Sequence, residues 1–480
     1  MTLKVKKDGA WKEASSLKVK INGEWKDVST LYSKKDGAWV TVYSSGALIT
    51  FTDYPYPIPV AKGWTYSTDK VNWTTVTSDS TINESGTFTG FIKANSITLS
   101  DYATVYTPAE SGKIDGTALS VARSYLTSFV NASKGYVCGG SSSGGGSSTV
   151  DIYDISGNKT AGEALSVARS TMTSFVNASK GYVCGGGGDG IRSTVDVYNS
   201  SGNRTTGTAL SVGRRHLTSF VNASKGYVCG GYRTNEVSTV DVYDSSGNRT
   251  TGTSLSDTRS SLTSFVNASK GYVCGGDGSE GTSSIVDIYN SSGNRTTGTP
   301  LKVARNNLTS FVNASKGYVC GGYGARCYST VDVYNSSGTR TTGRSLSVAR
   351  YDMTSFVINS NGYVCSGRAR EGRSSTVDVY DSSGNRTTGT PLKVAKEGLS
   401  SFVNASKGYV CGGYCDDGVS STVEVYYNKP ESYSTKLPIT EGSTYTLNGE
   451  SGVVSESQVL SYDTKVSGTI SYKTGTIPSS

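Results

Sequence analysis

The phrase LSVARSYLTSFVNASKGYVCGG, beginning at Leu119, returns with little change at Leu165, Leu210, Leu255, Leu301, Leu346 and Leu392, each step being 45 or 46 residues. A fixed period of this length belongs to a supersecondary unit that cannot bury its apolar side alone and does so by stacking on copies of itself. The array occupies residues 112–427 and leaves flanks at 1–47, 48–111 and 428–480, each expected to be a small β module.

Each unit breaks into four strand-length pieces, in the second unit MTSFVNA, KGYVCGG, STVDVYN and RTTGTALSV, parted by turn-forming residues. Valine, threonine and tyrosine fill these pieces, and no window has the period of an amphipathic helix, so the chain reads as all-β. Four short strands per unit is the pattern of a propeller blade, and seven units predict seven blades. The array opens on a lone fourth strand, about residues 113–121, and ends after a third, about 421–427. The lone strand is expected to complete the seventh blade, closing the ring and removing its exposed edges.

An apolar strand in each unit ends in a double glycine (Gly139-Gly140, Gly185-Gly186, Gly230-Gly231 and later copies), and a tyrosine closes the third strand (Tyr153, Tyr198, Tyr243, Tyr289, Tyr334, Tyr380, Tyr426). With the basic residue that opens the first strand, these features resemble kelch repeats over nearly all of 112–427. The resemblance implies a seven-bladed kelch-like propeller closed by an N-terminal outer strand. Threonine replaces the family's usual tryptophan (Thr160, Thr205, Thr250, Thr296, Thr341, Thr387), and the sixth unit has Ser366-Gly367 for the double glycine, so no kelch function is carried over.

Residues 1–47 hold VKKDGAWK, VKINGEWK and SKKDGAWV, with Trp11, Trp25 and Trp39 fourteen apart and Asp-Gly or Asn-Gly set for tight hairpins. This segment resembles the DGxW repeats of structural proteins from tailed phages and prophages of Gram-positive bacteria. The resemblance implies a module that attaches the chain to other virion proteins. Ser67 to Trp73 partly resembles the Asp-box of sialidase propellers, without that motif's glycine.

In an antiparallel four-stranded blade, the loop between second and third strands and the joint leading to the next blade lie at one end, and the other two turns lie at the opposite end. The second pair hardly changes between units, whereas the first varies in both loop and joint. The variable set is rich in Tyr, Ser, Gly, Asn and Arg, the mixture of rigid anchors and adaptable polar groups found in binding loops. Its candidate ligand-binding residues are Tyr125, Arg192, Arg215, His216, Tyr232, Arg233, Asn306, Asn307, Tyr323, Arg326, Tyr328, Tyr351, Asp352, Arg368, Arg370, Tyr414 and Asp416. Both flanks are expected to leave from the constant end.

Arg123, Arg169, Arg214, Arg259, Arg305, Arg350 and Lys396 form a repeated basic set. It reads either as a ring attracting a polyanion or, preferably, as structural partners of the acid in each unit (Asp151, Asp196, Asp241, Asp287, Asp332, Asp378, Glu424). The Asn-Ala-Ser and Asn-Arg-Thr triplets read as turns whose asparagine, Asn131 and its equivalents, takes the left-handed conformation rather than as glycosylation sites. Seven of the nine cysteines share one strand position and read as small buried residues; Cys327 and Cys415 fall in loops.

One histidine, His216, leaves no set of metal ligands, and no metal or cofactor is expected. Asp277, Asp352, Glu397, Asp416 and Asp417 gather at the variable end, but nothing in the sequence selects a carboxylate pair. The net charge of +8, four units of it from nine lysines against five acids in 1–47, makes no nucleic-acid face, and no run is apolar and long enough to span a bilayer. The expectation is a non-enzymatic phage tail or fibre-type adhesin, made in the host cytoplasm and carried on the virion as a single chain or a homo-oligomer, whose variable face binds a host-surface glycan or protein. The alternatives are an intracellular kelch scaffold and a glycan-degrading propeller enzyme.

Overall fold

The computed structural model describes residues 46–83, 86–103, 105–107, 110–429 and 432–477, preceded by the backbone of six short strands between 4 and 44. These six pair as three antiparallel hairpins in which Trp11, Trp25 and Trp39 stand opposite Lys6, Lys20 and Lys34, so the three repeats share one register. The Asp-Gly and Asn-Gly turn residues expected to close them lie outside the described residues. Among the described residues every regular element is a strand, and no helix is long and apolar enough to cross a membrane.

Two compact units are present, Met1–Ala109 with Pro430–Ser480, and Glu110–Lys429. In the first, both flanks of the array contribute to one core, where Ile49, Phe51, Tyr54 and Trp64 meet Leu437, Ile439, Ile470 and Ile477. The strands interleave accordingly: Gly475–Ile477 runs parallel to Ala47–Tyr54, and Ser96–Tyr102 pairs with Val466–Ser471. The Asp-box-like stretch is a self-bonded turn here. Asp69 accepts backbone N–H bonds from Asn72 and Val71, which hold its carboxyl below the usual carboxylate range, and Trp73 Nε1 donates to the Lys70 carbonyl.

The second unit contains seven antiparallel sheets of four strands. The first sheet comprises Thr127–Asn131, Lys134–Cys138, Val150–Tyr153 and Lys159–Ala161. The seventh comprises Ser400–Asn404, Lys407–Cys411 and Val423–Lys429, and takes its fourth strand, Glu110–Asp115, from the start of the unit. This is the lone strand expected from the sequence, three residues earlier than its expected start. The fourth strands are also shorter than expected, ending at Thr206 in the second sheet. Gly207 lies against Val195 and Val197, and beyond it the chain turns so that Leu210 becomes buried.

Contacts between neighbouring sheets repeat and return from the seventh to the first. Phe129 stacks on Tyr136 and both meet Tyr198 of the second sheet; Phe402 and Tyr409 meet Tyr153 of the first in the same way. Each such pair adds about 0.5–1.5 kcal/mol beyond the area it buries. The phenylalanine ring fits only because the next sheet presents glycine: a Cβ at Gly181 would lie 2.1 Å from Phe129 Cε2, and one at Gly135 would lie 2.1 Å from Phe402 Cε2. Along the first strands runs a set of hydroxyl pairs, from Thr127 with Ser174 through to Ser400 with Ser128, each at 2.5–2.7 Å.

Asn131 departs from expectation. It is not the left-handed turn residue; Ala132 and Ser133 are, at φ 48° and 59°. Asn131 is buried, and its Nδ2 donates to the Ser179 and Tyr198 carbonyls of the next sheet, which accounts for asparagine at that position. A hairpin turn with two left-handed residues suits Asn-Gly far better than Ala-Ser. Replacing Ala223-Ser224 by Asn-Gly is therefore expected to raise stability by about 0.5–1 kcal/mol, read as a higher thermal midpoint. The repeated cysteines are fully buried, and burial pushes their thiols up, that of Cys184 to about 12.

Candidate active site

The repeated basic residues lie on the joints before the first strands, with their side chains buried against the sheet that follows. Arg169, Arg214, Arg305 and Arg350 reach Asp196, Asp241, Asp332 and Asp378 at 2.8 Å; Arg123 and Arg259 pair likewise with Asp151 and Asp287, and Lys396 reaches Glu424 at 3.7 Å. All seven cations are at 0% exposure, so they present no charge to a polyanion. Most of the acids bind a second cation on the fourth strand, as Asp241 does Arg249 at 2.8 Å. The ring is structural, and each pair lies within one sheet.

At the variable end, the loop after each double glycine, or after Ser366-Gly367 in the sixth unit, folds back and pairs with the joint of its own sheet. The pairs are Ser124 with Ser141, Ser170 with Gly187, Arg215 with Tyr232, Ser260 with Asp277, Asn306 with Tyr323, Tyr351 with Arg368, and Glu397 with Tyr414. The two variable sets thus form one surface. The next joint residues, Tyr125, Thr171, His216, Ser261, Asn307, Asp352 and Gly398, all have φ between 51° and 62°. Each donates its N–H to the carbonyl of the one before, and the circle is completed by Tyr125 donating to Gly398 at 2.7 Å. Six non-glycine residues in the left-handed region, one of them the β-branched Thr171, cost energy that the circle of hydrogen bonds must hold in place. Their side chains line a cavity of about 190 Å³.

Two members of the circle have altered acidity. Burial, with Arg215 adding to it, pulls His216 down to about 4, so it is neutral at physiological pH. Burial, reinforced by the Glu397 charge, raises Asp352 to about 7 against the opposing effect of Arg368. Glu397 is itself buried and accepts from Arg368 Nη1 at 3.2 Å and Arg373 Nη2 at 3.0 Å. Arg373 also donates to Asp416 at 2.5 Å and lies 4.6 Å from the centre of the Tyr414 ring. Tyr125 covers Gly398, whose missing side chain makes the room: a Cβ there would lie 3.0 Å from the ring. Tyr125 thereby divides the central cavity from a second one of about 490 Å³, lined by Ser124, Ser141, Ser142, Ser143, Arg368, Arg373, Glu397 and Tyr414. Asp352 and Glu397 thus stand on successive joints, close enough for the charge of Glu397 to act on Asp352, and two guanidinium groups hold Glu397.

No protein-family model matches this chain, and no curated protein matches it. Among solved structures, a fungal alcohol oxidase of the AA5 family, in complex with copper, is similar over 76% of this chain and 93% of its own, at 13% identity and a TM-score of 0.52. The structure of YjhT is similar over 67% of this chain and 97% of its own, at 13% identity and a TM-score of 0.43. The fold is all-β and propeller-like.

The likeness to the oxidase corrects the expectation of a non-enzymatic adhesin, because the fold read as a display platform is that of an enzyme in a solved protein. The oxidase's copper does not carry over. This chain has a single histidine, and among the described residues no three His, Cys, Asp or Glu side chains gather as metal donors.

Of the residues singled out from sequence, Tyr125, Tyr351, Asp352, Arg368, Tyr414 and Asp416 come together here, and His216 and Asn307 join Tyr125 and Asp352 at the central cavity. Tyr323 packs on Tyr351 at 5.1 Å. Arg215 with Tyr232 and Arg326 with Tyr328 are cation–π pairs beside other sheets, and Asn306 shares its joint with Tyr323. Arg192 bonds its own loop, Arg233 is exposed, and Arg370 pairs at the surface with Glu371. Asp277 sits on the fourth sheet, apart from this cluster. Arg373 was missed. Its position opposite Arg368 across the Arg370-Glu371 turn is the available signal.

Proposed function

We propose that the seven sheets form a closed, seven-bladed propeller of the kelch type whose variable end is a carbohydrate-hydrolysing active site. The contacts that return from the seventh sheet to the first support the closed ring. The observation that carries the activity is the placing of Asp352 and Glu397 on successive joints at the wall between two cavities, Asp352 raised to about 7 by burial and Glu397 bound by Arg368 and Arg373. Glycosidic cleavage uses two carboxyl groups in unlike surroundings: an acid for the departing oxygen and an anion for the positive charge that develops on the sugar ring. In this reading Asp352 is the acid and Glu397 the anion. Hydroxyls of Ser124 and Ser141 to Ser143, with the Tyr125 and Tyr414 rings, supply the polar and flat apolar contacts that suit a sugar.

The test is reducing-end release from a panel of xylan, chitin, alginate and polygalacturonate across pH. The acid must carry its proton, and Asp352 holds it up to about 7, so kcat/KM is expected to fall as pH rises through that value. A profile that stays level through neutrality into mild alkali would remove Asp352 from the acid role.

A further inference from the structure

Resting on that reading, we infer that the site takes a chain of sugar units and cuts within it, with Tyr323 and Tyr414 as platforms on either side of the carboxylate pair. Nearly all the large apolar side chains of the described residues are buried or half-buried, and among the exposed ones the two aromatics are Tyr323 and Tyr414, at 43% and 39%. Tyr414 lines the second cavity, and Tyr323 reaches the site through its packing on Tyr351. Tyr323 belongs to the fifth sheet's loop and Tyr414 to the seventh's, while Asp352 and Glu397 lie on the joints of the sixth and seventh.

An unbroken line of contacts joins them. Tyr323 packs on Tyr351 at 5.1 Å, Tyr351 pairs with Arg368, Arg368 reaches Glu397 at 3.2 Å, and Arg373 links Glu397 at 3.0 Å to the Tyr414 ring at 4.6 Å. A pocket for one terminal sugar would have no use for exposed rings beyond both of its walls. A polymer threading across three sheets would stack a unit on each ring and place the bond between them over Asp352. Tyrosine suits this because it offers rigid apolar area at low entropic cost and keeps a hydroxyl for the sugar's own.

The experiment uses the full chain and oligosaccharide ladders, from disaccharide to octasaccharide, of xylan, chitin, alginate and polygalacturonate. The expected result is a kcat/KM that climbs with length and early products of intermediate size. Tyr323→Ala and Tyr414→Ala should each lower the ratio of longest to shortest kcat/KM by about tenfold, and Tyr323→Trp should restore it. A length-independent kcat/KM with release of single terminal units would overturn the inference. If no ladder is cut, the hydrolysis reading fails by itself and calorimetric binding of the same ladders decides this one. Affinity that rises with length in the wild type and flattens in Tyr323→Ala supports the platforms; affinity independent of length, or no binding of any ladder, refutes them.

Discussion

Alanine at Asp241 is expected to destabilise the array by roughly 3–5 kcal/mol, measured by urea unfolding. Asp241 is fully buried between Arg214 and Arg249, each at 2.8 Å, and accepts from the Ser211 backbone at 3.2 Å. Removing it leaves Arg214, at 0% exposure, with only the carbonyls of Val228 and Val212 to meet a full charge. The loss comes from an uncompensated buried cation, not from the worth of the pair, so replacing both partners by apolar residues, Arg214→Met with Asp241→Leu, should recover much of it. A single-variant loss below about 1 kcal/mol, the range of surface pairs, would mean that Arg214 reaches water and that the ring is not structural.

Asp352→Asn is expected to lower kcat by about 10²–10⁴-fold while leaving the fold in place. The backbone tolerates the change: the equivalent residue on the fifth sheet is Asn307, left-handed at φ 51° and bonded into the same circle. Only the proton donor is lost. Circular dichroism and thermal midpoint should therefore match the wild type, which separates loss of chemistry from loss of structure. An unchanged kcat would move the chemistry elsewhere on the face.

The scaffold was legible because its signals are local and repeated. The 45- to 46-residue period, the four strand pieces and the lone first strand all follow from periodicity and turn residues, as the pairing of Glu110–Asp115 with Val423–Lys429 shows. The basic ring was readable as structural because each cation is followed by an acid 27 or 28 residues further along the chain. The proposed site was legible only as a surface. Choosing Asp352 and Glu397 from five acids requires knowing that the circle of joints places one in a cavity and that two arginines from the neighbouring loop reach the other.

A signal was nevertheless present, in where the repeat breaks. Ser366 replaces glycine, Lys396 arginine, Ser400 threonine and Glu424 aspartate, and the circle's one glycine is Gly398, all on the sixth and seventh sheets beside the carboxylate pair. Ser366 offsets the cost of φ 61° by donating its one Oγ hydrogen to the Lys396 carbonyl at 2.6 Å and accepting from the Lys396 N–H. Each departure looks incidental when read alone along the chain. The asparagine of the Asn-Ala-Ser turn was misread for the opposite reason, since its role lies in a neighbouring sheet that sequence spacing does not reveal.

The most direct test of the account is the fate of water in the reaction. Wild-type protein incubated with the polysaccharide panel in heavy-oxygen water should yield products carrying one labelled oxygen at each new reducing end, and Asp352→Asn should yield almost none. Polysaccharide bound by the variable face but recovered uncut and unlabelled would contradict the assignment of an active site to Asp352 and Glu397.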